Sequence, residues 1–366
     1  MEDKQHVPFD ELLEDRTKEG TKLQTSEYSA DGLHPIIDQG QKDIAGYTDR
    51  EDGIFPVVPC IVFGDHTRVI KYVDKPFFLG ADGVKVLCPK TASNNTKYLY
   101  YALNSVKIPD TGYNRHYKWL KEARITVYSK EKQDKLVSVF ELIDDLISLR
   151  KKQLQKLDDL VKSRFVEMFG DLRSNPMGWD LYTFDEITDY ITDGEHATPR
   201  RSSEGIYLLS ARNILNHALR LDDVDHIDQA EYDRIAKRVI PREGDVLVSC
   251  SGTVGRCCTV PAGIAFQMVR SAALLRFKPT VLPLFAEYMI TSDFLQEQIG
   301  SSKTASSQAN LFQGKIAKLK GIVPPMDKQI EFVSFVKHVD KSRLTIQDGL
   351  NRMELLKQSL MQKFFG

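Results

Sequence analysis

The run from Lys130 to Gly170 contains no proline, and its first glycine is Gly170. Its positions Leu136, Phe140, Ile143, Ile147, Arg150, Leu154, Leu157, Val161, Arg164 and Met168 advance in alternating steps of four and three. Eight of those ten are apolar, which predicts one long helix with an apolar seam. The run returns at the end of the chain, Asp327 to Gly366, at an offset of 196 residues. Lys132 and Gln133 fall on Lys328 and Gln329, Leu160 on Leu356, and Phe169-Gly170 on Phe365-Gly366. The second seam reads Phe332, Val336, Val339, Arg343, Ile346, Leu350, Met353, Lys357, Leu360 and Phe364. Two such stripes in one chain are expected to cover each other. A helix of about 37 residues would span ~55 Å.

The text before each helix repeats as well. PVVPCIVFG (56–64), TRVIKYV (67–73) and GVKVLCP (83–89) are strand patterns, and KYLYYALNS (97–105) is helical. In the second copy GIYLLSARNI (205–214) is strand and turn. VIPREGDVLVSCSGTVGRCCTVP (239–261) is a strand pair about a Gly-rich turn, AFQMVRSAALLRFKP (265–279) a strand and LFAEYMITSDFLQEQI (284–299) a helix. CIVFG aligns with DVLVS at 245–249, YLYYALNS with FAEYMITS, and Asn114 with Asn310. The expected fold is α+β: two pseudo-repeated α/β domains, 1–129 and 172–325, separated by two long antiparallel coiled-coil helices, 130–171 and 326–366. A repeat of this size implies approximate two-fold symmetry within one chain.

No run of eighteen apolar residues exists and the N-terminus is acidic, so neither a membrane span nor a secretory signal is expected. The five cysteines lack paired CxxC spacing and are expected to be reduced and mostly buried in a cytoplasmic protein. The net charge of −1 does not announce a nucleic-acid partner. Residues 172–326 hold seventeen Lys/Arg and eighteen Asp/Glu, six of the acids clustered between Asp222 and Asp233, which leaves room for a basic face elsewhere. No GxGxxG follows a strand, no GxxxxGK[ST] occurs, and NPMGW at 175–179 lacks the second proline of an adenine-methyltransferase motif. No catalytic triad or metal cluster is expected.

The duplicated order resembles the specificity subunit of type I restriction-modification systems. The resemblance is carried by IVPPMDKQIEFV at 322–333, by its first copy ITVYSKEKQDKLV at 125–137, which keeps the glutamine without the proline pair, and by ASSQANLFQGKIAKLKGI (305–322) and GDVLVSCSGTVGR (244–256). It implies a non-catalytic subunit in which two target-recognition domains read an asymmetric bipartite site on double-stranded DNA. It further implies two methyltransferase (modification) subunits and restriction/translocase subunits as partners. S-adenosylmethionine, ATP and magnesium would reside on those partners, with no cofactor or metal in this chain. The alternative is a coiled-coil scaffold presenting two protein-binding domains.

Base reading requires amides, hydroxyls and guanidinium groups on loops. In the second domain the candidates are His196, Thr198, Arg200 and Arg201; Arg212 and Asn213; Ser251, Thr253 and Arg256, with Gly252 and Gly255 permitting close approach; and Lys303, Ser307, Gln308 and Asn310. Arg270, inside a strand pattern, is instead a candidate for a buried ion pair. In the first domain they are Lys42; His66, Thr67 and Arg68; and Asn114, Arg115, His116, Tyr117 and Lys118, where cations alternate with aromatics.

Overall fold

The computed structural model describes residues 4–112, 114–302 and 310–366. They form two compact units, one joining Met1–Lys152 with Ile346–Gly366 and the other comprising Gln153–Thr345. Each unit thus owns one part of each long helix, Lys130–Phe169 and Met326–Phe365, both 40 residues long.

In the first unit an antiparallel sheet runs Leu13–Asp15, Val84–Pro89, Cys60–Gly64, Ile70–Val73. Its central strand is buried on both faces, which explains why CIVFG reads as unbroken apolar text. Alternate side chains serve different cores. Ile61, Phe63 and Leu87 pack with Tyr98, Leu99, Phe140 and Phe365 of the helices. Cys60, Val62, Val86 and Cys88 pack with Phe55 and Phe77 beside a second sheet of Gly46–Thr48, His34–Ile37 and Phe78–Leu79. The helix Thr96–Asn104 starts at Asn95, whose side-chain oxygen accepts from the amides of Lys97 and Tyr98.

The second unit contains a sheet ordered Thr188–Asp193, Ala272–Phe277, Val246–Ser249, Cys257–Thr259. Another runs Arg201–Ser202, Asp225–Ile227, Ile206–Leu209, Phe266–Met268. Val248, Ala273 and Leu275 face the helices; Leu247, Leu274 and Cys258 join Leu209, Phe266 and Met268. Two segments depart from the expected elements. The run 265–279 is two strands, because the chain turns at 269–271 to pass from one sheet to the other. The helical text 284–299 breaks at Ser292, whose backbone is extended between the helices Pro283–Thr291 and Asp293–Ser302. The acidic cluster contains an additional helix, Gln229–Ala236, capped by the Asp228 carboxylate on the Glu231 amide.

Within each unit the two long helices run antiparallel. In the first, the Phe140 and Phe365 rings stack at 5.7 Å, the Lys357 ammonium meets Asp144 at 2.5 Å and Lys151 meets Glu354 at 3.1 Å. In the second, Arg343 pairs with Asp158, Arg164 meets Glu331 at 2.7 Å, and Phe332 packs on Phe165 and Phe169. The charged interruptions of the seams at Arg164, Arg343 and Lys357 each meet a carboxylate of the other helix. Gln133 and Gln329, both fully buried, play parallel parts. The Gln133 amide donates to the Tyr128 carbonyl and accepts from the Asn95 amide; Gln329 donates to the Pro324 carbonyl and accepts from the Leu282 amide. Each ties the entry of a long helix to the start of an earlier helix, Thr96–Asn104 for Gln133 and Pro283–Thr291 for Gln329.

The five cysteines are free and buried, and burial pushes the Cys250 thiol up to about 12. Among the described residues no group of His, Cys, Asp and Glu could hold a metal ion, and no helix is long and apolar enough to cross a membrane.

The Asp15 carboxyl is pushed up by desolvation, but hydrogen bonds from the Thr17 hydroxyl and amide and the ammonium of Lys85 at 3.0 Å more than offset this, leaving it below the ordinary range. A carboxyl depressed in the folded state adds stability above its unfolded value of ~3.9 and loses it as pH falls toward the folded value. Asp15→Asn should therefore destabilise the protein at neutral pH, and the gap from wild type should narrow below about pH 4. Urea midpoints across pH 3–7 check this; a gap independent of pH would show that the charge contributes nothing.

Candidate nucleic-acid interface

In the second unit four loops meet at the turn 269–271. The Arg270 amide donates to the Glu195 carbonyl at 3.0 Å and the Glu195 amide to the Met268 carbonyl at 2.8 Å. The Ser271 hydroxyl accepts from the Ala211 amide at 3.0 Å, and its carbonyl from the Cys250 amide at 2.7 Å. The Leu311 amide donates to the Cys250 carbonyl, and Ser251 is bridged to Asn310. Loops distant in sequence thus present His196, Thr198, Thr253 and Arg270 as exposed side chains at one place, with Ser251, Arg256 and Asn310 half-buried beside them.

His196 is oriented: its Nε2 lies 2.7 Å from Asp193, whose other oxygen accepts from Arg238 at 2.6 Å. Asn213 is buried. Its side-chain amide donates to the Arg220 and Asp223 carbonyls and its oxygen accepts from Ser210, so it holds the loop closed and is not presented to a ligand. Gly255 likewise faces inward, where a Cβ would come within 2.9 Å of Gln296, while Gly252 stands exposed at the hairpin tip. Arg270 departs most from expectation. It is exposed in the turn rather than buried in a strand, and the buried ion pair belongs to Arg276, which grips Asp245 with two hydrogen bonds of 2.7 Å. Three arginines named as candidates for DNA contact fall on the acidic cluster: Arg200 on Asp228 at 2.8 Å, Arg201 on Asp225 at 2.9 Å and Arg212 on Asp225 at 3.1 Å. Lys303, Ser307 and Gln308 lie outside the described residues.

In the first unit the loops meet at Gln39 and Asp65. The Gln39 side chain accepts from the His66 amide at 3.1 Å and donates to the Asp82 carbonyl at 3.0 Å, and its carbonyl accepts from the Thr67 hydroxyl. The buried Asp65 donates its amide to the Gly83 carbonyl, while its carbonyl accepts from the His116 amide and its carboxylate from the Tyr117 amide. His66 lies 3.2 Å from the Asn114 carbonyl, and Arg68 pairs with Asp110 at 2.7 Å. Lys42, Thr67, Asn114, Arg115 and Lys118 are exposed. His116 is buried, with Nδ1 on the Asp65 carbonyl, so it braces the loop. Tyr117 packs against Phe9 and Phe63, with the Lys85 ammonium over its ring, and burial pushes its hydroxyl up. Sequence reasoning missed Gln39 and misplaced Arg270. Nothing in the text around Gln39 marks it, whereas the polar pair Arg270-Ser271 between two apolar runs is a turn signal.

Residues 176–353 match the family model described as "Type I restriction modification DNA specificity domain". No curated protein matches the chain. Among solved structures, the type I restriction-modification S subunit from M. genitalium is similar with a TM-score of 0.60 at 16% identity, covering 100% of this chain and 96% of that one. A chain from a structural study of type I R-M complex assembly and conformational transition is similar with a TM-score of 0.54 at 14% identity, covering 99% and 97%. Residues 176–353 thus carry the sequence of a type I restriction-modification DNA specificity domain, and the chain over its whole length is similar in fold to the S subunit from M. genitalium.

Proposed function

We propose that the chain is the non-catalytic specificity subunit that directs a type I complex to an asymmetric bipartite DNA site, each unit reading one half. The observation that carries this is the correspondence between the two loop clusters. In each, the residue after the central strand, Asp65 or Cys250, donates its amide to the loop entering the neighbouring strand and accepts at its carbonyl from the last loop, at His116 or Leu311. The frames are alike while the residues that follow differ, His66-Thr67 against Ser251-Gly252-Thr253. Different donor and acceptor patterns on one frame suit two different half-sites. On this reading 1–129 and 172–325 are the recognition domains, and 130–171 and 326–366 the helices between them. Leu142, Leu344 and Leu355, more than 60% exposed on the long helices, suit the docking of methyltransferase and restriction subunits, which would carry S-adenosylmethionine, ATP and magnesium.

The test is to assemble the enzyme with its partner subunits and map methylated sites genome-wide. A two-part motif, absent when this chain is omitted, is expected. The purified chain alone should neither methylate nor cleave DNA with S-adenosylmethionine, ATP and magnesium supplied. A continuous motif, or activity of the chain by itself, would refute the proposal.

A further inference from the structure

The arginines near the loop cluster of the second unit fall into two groups. Arg200, Arg201, Arg212, Arg234 and Arg238 each hold a carboxylate, at 2.8, 2.9, 3.1, 2.8 and 2.6 Å. Their charge is offset by Asp193, Asp223, Asp225, Asp228 and Glu231, which would repel a phosphate backbone as strongly as the guanidinium groups attract it. Among the described residues the half-buried Arg256 and the exposed Arg220 and Arg270 hold no carboxylate; of these only Arg270 lies in the turn where the loops meet. Its backbone is the junction on which the other loops are built. Its own amide is fixed by Glu195, and the next residue, Ser271, fixes Ala211 and Cys250. The loop at 194 is pressed against this turn so closely that a Cβ on Gly194 would lie 2.3 Å from the Met268 carbonyl oxygen.

A guanidinium on a pinned backbone, uncompensated and central among exposed polar side chains, is equipped to bind an anionic or acceptor-rich edge. We propose that Arg270 is the group with which the second unit engages DNA, and that Arg200, Arg201 and Arg212 are a neutralised frame that shapes the loops without touching the duplex. This rests on the DNA-reading function proposed above. The ligand chemistry is a pair of acceptor oxygens or nitrogens, offered either by the guanine major-groove edge or by a backbone phosphate.

The experiment uses the complex assembled with its methyltransferase subunits and a duplex carrying the motif mapped for the wild type. Arg270→Ala should weaken binding by roughly 5- to 150-fold, the range of one good bidentate contact. Arg212→Ala should stay within about threefold, the scale of an exposed ion pair. Arg270→Lys separates the two sources of ligand. Recovery by lysine marks a phosphate, which accepts a point charge; loss with relaxation at one base of one half-site marks a guanine edge, which needs the planar fork. Either supports the assignment. Binding by Arg270→Ala within about threefold of wild type, or an Arg212→Ala loss as large as that of Arg270→Ala, would overturn it. Arg270 is exposed, so both variants should melt with the wild type, and a shared melting point certifies that a loss of binding is local. A wild-type complex that methylates no two-part motif sinks the proposed function itself, and so is told apart from failure of the Arg270 assignment.

Discussion

Phe332→Ala should destabilise the second unit by about 3–5 kcal/mol. Phe332 is fully buried where the second long helix meets the sheet and the first long helix. Its ring lies 5.4 Å from Phe165, 5.7 Å from Phe169, 6.5 Å from Phe285 and 5.5 Å from Tyr288, all at steep edge-to-face angles. Removing it opens a cavity walled by rings from two other helices, which cannot close without moving both. Its aromatic pairings add to the loss from burial. Trp179 is a local probe, because its indole donates to the Phe169 carbonyl at 2.9 Å at the edge of this cluster. Urea unfolding followed by Trp179 fluorescence, with Trp119 replaced by Phe, should show a lower midpoint at unchanged slope. Leu344→Ala, at a position 71% exposed on the same helix, should shift it by less than about 0.5 kcal/mol. Equal shifts for the two variants would show that the cluster is not where the unit's stability is concentrated.

Gln329→Leu should lower stability by about 3 kcal/mol or more, although leucine has a similar volume. The buried Gln329 side chain donates to the Thr280 and Pro324 carbonyls at 2.9 and 2.8 Å and accepts from the Leu282 amide at 2.8 Å. Leucine leaves all three backbone groups without their partner, and each buried group so orphaned costs about 1–3 kcal/mol. Gln133→Leu should act alike in the first unit, through the Tyr128 carbonyl, the Asn94 side chain and the Asn95 amide. Gln329→Glu offers a sharper comparison, since it keeps the acceptor but loses two donors and buries a charge. A leucine variant within about 1 kcal/mol of wild type would mean that these carbonyls and amides find other partners, and the glutamine lock would be disproved.

The sequence by itself determined both long helices, because a seam of alternating three and four sustained without proline is a local property that packing only completes. It also determined the central strands, where β-branched and aromatic runs between glycines leave little else to form. The repeated glutamine was visible, but the part it plays was not, since the carbonyls it satisfies come from residues brought to it only by folding. Tertiary structure decided the chemistry of the surface. Arg200, Arg201 and Arg212 are separated from Asp225 and Asp228 in the sequence, and composition alone counted the acids as a separate cluster. Antiparallel pairing of Arg201–Ser202 with Asp225–Ile227 sets these opposite charges side by side. His116 and Asn213 carry the residue types of a reading loop, yet each is turned inward onto backbone carbonyls. Arg270 is the converse. Its neighbours are apolar strand text, and only the change of sheet at 269–271 puts its guanidinium outside. Local periodicity specifies which elements form; which polar side chains remain free for a ligand depends on partners far along the chain, and no window of sequence contains them.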